Sequence, residues 1–394
     1  MKIKLLLALF SLFVFNTSFA QQHEDEFPII AYWGVNPRFA TDGHFKAFAN
    51  CGFNVSHYNY ASADQFIQVA KTANKYGVKL MLQSNALSFD TENTVKKVMN
   101  VPNLFAYHIY DEPSMEGLDE LSTNFVDKIA KWDKNHPCYI NLLPYYEDNM
   151  LKKTVKASSY SEYVRKAAKV RTPQLSFDYY PIMTDGIRTT WFENLETFHR
   201  VSTDTGKPFW GFVLSVPHAK YPMPTLPMLR LQVYSNLAYG AKGIQYFTYW
   251  TPLSSAYDFH SAPVTSDGKF TSTYDVVKKM NMELKGVCSL FHEGTVTKVN
   301  HLGQIPKGTR KLTDMPSGIK SLEVIGGNGA IVSQLQCKGK HYLIVVNKDY
   351  RYKISVHIES SSPSVVRINK LLETNRLKSK YTLSGGDMII FRLD

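Results

Sequence analysis

The chain has 394 residues, of which 44% are hydrophobic and 20% are charged, and its formal net charge is +11. This composition excludes a disordered chain, and the length is sufficient for a full-size barrel with a small second domain. The basic residues are spread without a long run of like charge, which indicates a solvated surface and no nucleic-acid partner, with an anionic substrate as the alternative.

The first twenty residues have the pattern of a secretory signal peptide. Two lysines precede an apolar run over residues 5–15, and the small residues Ser18 and Ala20 stand where cleavage before Gln21 requires them. The apolar run is short for a membrane span, and no later stretch reaches about 20 apolar residues. We therefore expect a signal peptide over 1–20 and a periplasmic or extracellular protein that is soluble and has no membrane insertion.

Residues 21–295 alternate short β-rich runs with amphipathic helical stretches. The predicted strands are Ile29–Gly34, Asn54–Tyr58, Lys79–Gln83, Leu104–Tyr110, Cys138–Leu142, Leu175–Tyr179, Phe209–Leu214 and Gly243–Tyr249. The predicted helices are Ser62–Tyr76, Met115–Asn135, Tyr160–Lys169, Trp191–Thr205, Met228–Tyr239 and Ser272–Phe291. Continuous apolar strands suit a parallel sheet covered by helices, so we predict an α/β fold, a (β/α)₈ TIM barrel. An open doubly wound sheet is the alternative, but the glycine-rich turn that would follow its first strand is absent.

Residues 300–394 have a different sequence pattern, in which short β-rich runs are separated by turns rich in Gly, Ser and Pro. The predicted strands are Ser321–Ile325, Ala330–Gln336, His341–Asn347, Tyr352–Ile358, Ser364–Asn369 and Asp387–Leu393. This pattern predicts a small C-terminal antiparallel β-sandwich. It has no conspicuous aromatic platform, which favours a structural accessory over a binding module.

The sequence offers no recognisable metal or cofactor site. The four cysteines form no CxxC pair, and we expect buried free thiols. No HExxH and no GxSxG motif occurs. His57, His108 and His218 could share a metal, but scattered barrel histidines are more often hydrogen-bonded structural groups. We expect no metal and no cofactor.

The most informative segment runs from Leu104 to Pro113 and ends in Asp111-Glu112-Pro113. Catalytic groups of a (β/α)₈ barrel project from the carboxyl ends of its strands, which is where the two acids fall. Alternation along the strand predicts Glu112 on the same side as His108, with Asp111 on the other. A carboxyl among Tyr and His has a raised pKa, as a general acid requires. The alternative is that an acid here only caps the helix that begins near Ser114.

This segment resembles the Asn-Glu-Pro of the clan-A glycoside hydrolases, retaining (β/α)₈ enzymes. The resemblance implies that Asp111 takes the Asn position and Glu112 the acid/base position. Residues 237–250, which end in Tyr249 and Trp250, are similar to the passage into strand 8 of β-galactosidase-like barrels, where a Trp stacks on sugar.

The chain departs from this family at strand 7. Clan-A enzymes carry a nucleophilic Glu at its end, whereas residues 208–217 contain no acid. The best substitute is Asp178 after strand 6, which could activate a water with inversion, or could serve a structural role. Asp258 and Glu147 are the fallback partners.

Aromatic and polar residues follow several predicted strands and could form a sugar site with a carbohydrate substrate. The proposed substrate-binding set is Asp111, Trp33, Tyr58, Asn59, His108, Tyr180, Tyr249 and Trp250, with Glu112 and Asp178 as catalytic carboxyls. The sequence thus predicts an exported glycoside hydrolase. A carbohydrate-binding barrel without catalysis, and a barrel hydrolase or lyase of another class, are the alternatives.

Overall fold

The computed structural model describes residues 26–394 and shows an eight-stranded parallel barrel followed by two antiparallel sheets. The barrel strands are β1 Ile29–Tyr32, β2 Val55–Asn59, β3 Lys79–Gln83, β4 Leu104–Asp111, β5 Cys138–Asn141, β6 Leu175–Phe177, β7 Phe209–Leu214 and β8 Ile244–Phe247. All eight predicted strands are present, and the predicted fold class is confirmed. The signal peptide predicted over residues 1–20 lies outside the described residues.

The strands follow one another around the barrel in chain order, with β1 paired to both β2 and β8. A bridge between Leu142, just after β5, and Phe177 of β6 closes the circle, and the Leu142 N–H donates to the Ser176 carbonyl over 2.9 Å. Because every strand is parallel, all eight carboxyl ends lie at one mouth of the barrel.

Helices cover the outside of the barrel. They are α1 Asp42–Asn50, α2 Ala63–Asn74, α3 Ala86–Phe89, α4 Thr91–Val98, α5 Met115–Leu121, α6 Asp127–Trp132, α7 Asp148–Thr154, α8 Tyr160–Ala167, α9 Trp191–Thr205, α10 Leu226–Ala238 and α11 Ser272–Glu293. A π-helical turn, Ser122–Val126, joins α5 to α6 within the predicted 115–135 helix. As predicted, Ser62 caps α2, its hydroxyl accepting from the Gln65 N–H. None of the helices in the described part of the chain has the length and apolarity that a bilayer crossing requires.

The C-terminal region contains a six-stranded and a three-stranded antiparallel sheet. Its strands are β9 Thr295–Gly303, β10 Ile319–Ile325, β11 Gly329–Cys337, β12 Lys340–Asn347, β13 Ile354–Ser360, β14 Val366–Ile368, β15 Thr374–Asn375, β16 Lys380–Leu383 and β17 Met388–Arg392. Three of these, β9, β15 and β16, were not predicted; β9 begins directly after α11, ahead of residue 300. The two sheets enclose an apolar core that includes Val332, Val345 and Phe391.

The larger sheet also packs against the barrel. Its other face contributes Ile344, Val346 and Ile390 to the same apolar core as the barrel helices. A charged network adds to this contact, because Lys370 pairs with Glu283 of α11 at 2.7 Å and with Asp387 at 2.6 Å. The C-terminal sheets are thereby fixed to the α10–α11 side of the barrel.

The four cysteines are free, three of them buried and Cys288 half-buried. No group of three or more potential metal ligands occurs among residues 26–394.

Candidate active site

A β-bulge in β4 determines which acid faces the barrel interior. His108 lies opposite Tyr139 of β5, but Tyr110 lies opposite the next residue along, so β4 contains one extra residue. Asp111 therefore pairs with Asn141 and shares the inner side with His108, while the Tyr110 side chain is 49% exposed. Strict alternation predicted Asp111 on the side opposite His108, and the bulge corrects that prediction.

Asn141, at the end of β5, connects two carboxyl groups. Its side-chain nitrogen donates to Asp178 Oδ1 over 2.8 Å and to Asp111 Oδ1 over 3.2 Å. Its Oδ1 accepts from the Ser176 hydroxyl over 2.8 Å, which fixes the orientation of the amide. Because both carboxyl oxygens contact one nitrogen, they lie within about 6 Å of each other, where two carboxyls interact strongly through charge.

Asp178, just after β6, is surrounded by negative charge and little water. Burial, followed by the charges of Asp111 and Glu112, raises its pKa well above the ordinary value, and the Asn141 hydrogen bond opposes this shift. The Tyr180 hydroxyl donates to Asp178 Oδ2 over 3.3 Å, and the Tyr32 hydroxyl lies 3.5 Å from Asp111 Oδ2. These contacts hold the Asp111 and Asp178 carboxyls in one hydrogen-bonded cluster.

Glu112 follows Asp111 at the mouth in an unusual backbone conformation. Its φ of 52° lies in the left-handed region, which costs a non-glycine residue about 1 kcal/mol or more. Its N–H donates to the Asn141 carbonyl over 2.9 Å, which ties this strained residue to β5. The helix that follows does not need Glu112 as a cap, because the Ser114 hydroxyl accepts from the Gly117 N–H over 3.1 Å.

The Glu112 side chain reaches solvent, but the protein around it removes part of its hydration. This desolvation, together with the negative charge of Asp111, raises the pKa of Glu112 to about 7. A carboxyl with this pKa holds a proton in a large share of molecules at neutral pH. It can therefore donate a proton and take it back, which is the property of a general acid.

Two buried histidines support the carboxyl cluster from below. His57 Nε2 and His108 Nδ1 are 2.8 Å apart, and the His57 ring stacks on Tyr32 at 4.0 Å. Burial lowers the pKa of both rings, and His108 lowers that of His57 further. Since His108 is buried and bonded to the Tyr110 carbonyl as well, it orients the site from inside the barrel and does not reach the mouth. His218 lies apart from this pair, bonded to the Val216 carbonyl and packed against Phe259.

The end of β7 carries no acid. Ser215 follows this strand, is fully buried, and donates to the Thr248 carbonyl over 2.7 Å. The fallback acids do not join the cluster either: Asp258 accepts from the Ala219 N–H in an exposed loop, and Glu147 is exposed just before α7. The carboxyls that the structure brings together are thus Asp111, Glu112 and Asp178.

Three of the predicted rim residues line an open cavity of about 490 Å³ over the ends of β1 to β3 and β8. They are Trp33, Tyr58 and Asn59. The Trp33 and Tyr58 rings are half-buried and meet edge to face at 5.3 Å. Trp33, the residue after β1, has a φ of 48°. Its backbone is therefore in the left-handed region, as is that of Glu112 after β4. A half-exposed indole beside polar groups has the chemistry of a sugar-binding surface.

The side chains of Tyr249 and Trp250 are buried and do not line this cavity. Tyr249 is fully buried among Phe48 and Phe53, outside the barrel strands. Trp250 is 2% exposed and packs on Phe39 and His44. The structure therefore gives both side chains a packing role, in contrast to the predicted stacking role.

A second open cavity, of about 730 Å³, lies over the ends of β5 and β6. Tyr146, Tyr179, Arg188 and Tyr221 line it. The sequence pattern did not identify Arg188 as a site residue. It also did not identify Asn141 and Tyr32, which contact the carboxyls. Asn141 could have been found from the sequence, because it is a polar residue at the end of the apolar strand Cys138–Asn141. Arg188 could not, because it stands on a loop whose path the sequence does not reveal.

Comparisons with known proteins agree with this architecture. No protein-family model matches the chain, and no curated protein sequence matches it. Among solved structures, the chain is similar to a glycoside hydrolase family 5 protein from Bacteroides vulgatus, with 13% identity, a TM-score of 0.58, and coverage of 93% of this chain and 89% of that chain. It is also similar to a catalytic mutant of a GH42 β-galactosidase from G. stearothermophilus, with 9% identity, a TM-score of 0.61, and coverage of 93% and 98%. For a β-galactosidase from Bacillus circulans the identity is 10%, the TM-score 0.58, and the coverage 94% and 100%.

These neighbours are clan-A TIM barrels, so the resemblance seen in the sequence is confirmed at the level of the fold. The fold class of this chain is a TIM barrel followed by antiparallel β-sheets.

Proposed function

We propose that this protein is a glycoside hydrolase that cleaves O-glycosidic bonds of an oligo- or polysaccharide, with Glu112 as the proton donor. The observation that carries the proposal is the position of Glu112 at the mouth of the barrel, beside the Asn141-linked pair Asp111 and Asp178, where burial and the charge of Asp111 raise its pKa to about 7. The glycoside hydrolase fold of its structural neighbours supports the same chemistry.

In the proposed reaction, the Glu112 carboxyl gives its proton to the glycosidic oxygen as the bond from that oxygen to the anomeric carbon breaks. A water molecule attacks the anomeric carbon and passes its proton to the Asp178 carboxylate. The products are the leaving alcohol and a sugar with a new reducing end, and exchange with solvent then returns a proton to Glu112 and removes one from Asp178. This route needs no nucleophile on β7 and inverts the anomeric configuration.

Asp111 and Asn141 act as positioning residues for Asp178 in this scheme. The negative charge of Asp111 raises the pKa of both Glu112 and Asp178. Asn141 limits that effect at Asp178, since its hydrogen bond favours the ionised carboxylate. The proposed reaction requires Asp178 to be ionised while Glu112 carries its proton, and the hydrogen bonds from Asn141 and Tyr180 are the contacts that favour this state.

Substrate binding is proposed for the rim of the mouth. The Trp33 and Tyr58 rings offer apolar faces for a pyranose, and Asn59 offers hydrogen bonds to hydroxyl groups. Tyr180 is mostly buried, and its hydroxyl donates a hydrogen bond to the Asp178 carboxyl.

A carbohydrate-binding barrel without catalysis is the second candidate, because β7 ends without an acid, whereas the resemblance to clan-A enzymes implies a nucleophilic Glu there. One incubation separates the two. The protein is mixed with a panel of plant, algal and bacterial glycans in water enriched in ¹⁸O, and the products are analysed by mass spectrometry. We expect new reducing ends carrying one ¹⁸O at the anomeric carbon. Binding without any cleavage product would establish the second candidate, and unsaturated products without ¹⁸O would indicate a lyase.

Export remains part of the proposal, supported by the pattern of residues 1–20. Mass spectrometry of the protein recovered from the periplasm or the medium should find Gln21 as the first residue. Recovery of the uncleaved chain from the cytoplasm would contradict it.

A further inference from the structure

The cavity over β5 and β6 contains a positive charge that the proposed reaction does not use. Arg188 lies on the loop between β6 and α9 and is half-buried. Its guanidinium lies over the ring of Tyr146 at 4.6 Å, over Tyr221 at 5.4 Å and over Tyr179 at 6.0 Å. Three tyrosines thus hold one cation at the wall of a cavity of about 730 Å³.

The backbone and Nε of Arg188 are fixed, and its side chain also hydrogen-bonds to Tyr221, so part of its set of five guanidinium N–H donors is left for a further partner. The N–H of Arg188 donates to the Pro181 carbonyl over 2.8 Å, and Nε donates to Met183 Sδ over 2.8 Å. Both contacts hold the side chain in one orientation. A planar guanidinium held this way presents a fork that matches a carboxylate or a sulfate.

Within residues 26–394, no carboxylate forms an ion pair with Arg188. Arg230, by contrast, is 16% exposed and is paired with Glu283 and Asp387. Asp185 lines the same cavity as Arg188 but is exposed and forms no ion pair with it. A half-buried cation that forms no ion pair among residues 26–394 is suited to bind an anionic ligand.

The cavity adjoins the carboxyl cluster. Tyr179 and Tyr180 follow Asp178 directly in the chain. The charge of Asp178 also acts on two of the three tyrosines around Arg188, because, after burial, it contributes to raising the pKa of Tyr146 and of Tyr221. The rings of Tyr180 and Tyr221 are 6.1 Å apart. A sugar unit in this cavity would therefore neighbour the unit that is cleaved.

We propose that this cavity is a subsite for a sugar bearing an anionic group, a carboxylate or a sulfate ester, which pairs with the terminal nitrogens of Arg188. The inference rests on the proposed function and names its substrate class, an acidic glycan. The tyrosine faces accept the pyranose ring, and the fork of Arg188 selects the charge.

Binding in a variant that cannot turn over separates this inference from catalysis. In the Glu112→Gln protein, calorimetric titrations compare methyl glucuronide and methyl galacturonide with methyl glucoside and methyl galactoside, and methyl galactoside 6-sulfate distinguishes the two anions. We expect at least one charged sugar to bind roughly tenfold or more tightly than its neutral counterpart, as charge-assisted hydrogen bonds allow. Arg188→Gln should reduce that ratio to within about twofold, and Arg188→Lys should keep part of it.

Arg376→Gln, the same charge change on an exposed residue of the C-terminal sheets, is the matched control and should leave the ratio unchanged. Equal affinity for charged and neutral sugars, no binding of either, or a preference that survives in a folded Arg188→Gln protein would overturn the subsite. If the wild-type protein cleaves a neutral glycan with no charge preference, this inference alone fails. If the preference holds and no glycan is cleaved, the proposed hydrolysis fails alone.

Discussion

The side-chain nitrogen of Asn141 lies 2.8 Å from Asp178 Oδ1 and brings a neutral donor from β5 into a cluster of carboxyls. The same nitrogen contacts Asp111, so a single amide lies between two acids from different strands. This relationship gives Asp178 a contact that favours its charged form, against burial and two negative neighbours.

Replacing Asn141 with Ala should move the acidic limb of the pH–rate profile. Loss of the amide removes a contact that lowers the pKa of Asp178, so that pKa rises and the ionised form appears only at higher pH. We expect the acidic limb to shift to higher pH and the rate at pH 6 to fall roughly tenfold or more. Asn59→Ala is the control, because Asn59 lines the rim and should raise KM without moving the limb. An unmoved limb in Asn141→Ala would remove Asn141 from this role.

Replacing Asp111 with Asn should act on the opposite limb. The negative charge of Asp111 raises the pKa of Glu112, so its removal lowers that pKa from about 7, and Glu112 loses its proton at lower pH. The alkaline limb of kcat/KM should therefore shift to lower pH, with activity retained near pH 5. A profile whose alkaline limb stays in place, or moves to higher pH, would show that Asp111 does not tune the donor.

The buried pair of His57 and His108 predicts a loss of stability on acidification. The pKa of His57 in the fold is well below its ordinary value of 6.5, so the unfolded chain binds a proton that the folded chain does not. This contribution is present above about pH 6.5 and is lost as pH falls toward the folded pKa. Urea denaturation at pH 7.5 and pH 5 should show a smaller loss of unfolding free energy in His57→Gln than in the wild type.

Carboxyls with raised pKa values, such as Asp178, change the unfolding free energy with pH in the opposite direction. Because the wild type and His57→Gln both contain them, their contribution cancels in this comparison. His260→Gln, at an exposed position, should behave like the wild type. Equal losses in the wild type and His57→Gln would contradict the prediction.

The two tryptophans near the strand ends should differ in their effect on substrate binding. Trp33 lines the open cavity, so Trp33→Ala should raise KM several-fold to about tenfold with kcat changed less than about twofold. Trp250 is buried against Phe39, so Trp250→Phe should lower the melting temperature and leave KM nearly unchanged. Steady-state kinetics and thermal melts of both variants check this. A large increase in KM in Trp250→Phe alone would indicate that Trp250, and not Trp33, stacks on the substrate.

The barrel was predictable from the sequence because its strands are continuous apolar runs with polar ends. The predicted bounds of β3 and β7 agree with the structure, and the other barrel strands differ by one or two residues. The C-terminal sheets were predicted less completely, since β15 and β16 are short and rich in polar residues. Their place is determined by pairing with β14 and β13, which single-sequence patterns do not report.

The site was predictable in position but not in detail. Placing Asp111 and Glu112 at the end of β4 required only the strand pattern and Pro113. The orientation of Asp111 depended on a bulge that no local signal marks, and alternation therefore gave the wrong side. Tyr249 lies two residues beyond β8, where the chain has already left the barrel wall, so its side chain packs outward against α1. Contacts between distant strands, such as Asn141 with Asp178, follow only from the closed barrel.

The role of Glu112 as proton donor is tested most directly by how the rate of Glu112→Gln depends on the leaving group. A general acid is needed for a sugar or methoxide leaving group and is not needed for 2,4-dinitrophenolate, which departs without a proton. Glu116→Gln, an exposed acid in α5 paired with Lys156, is the matched control and should behave like the wild type. With glycosides of the sugar released in the ¹⁸O experiment, we expect Glu112→Gln to lose roughly 10²–10⁴-fold in kcat/KM on the natural linkage and less than about tenfold on the dinitrophenyl glycoside. Equal losses on both substrates, or wild-type activity on the natural linkage in a correctly folded Glu112→Gln protein, would contradict the assignment.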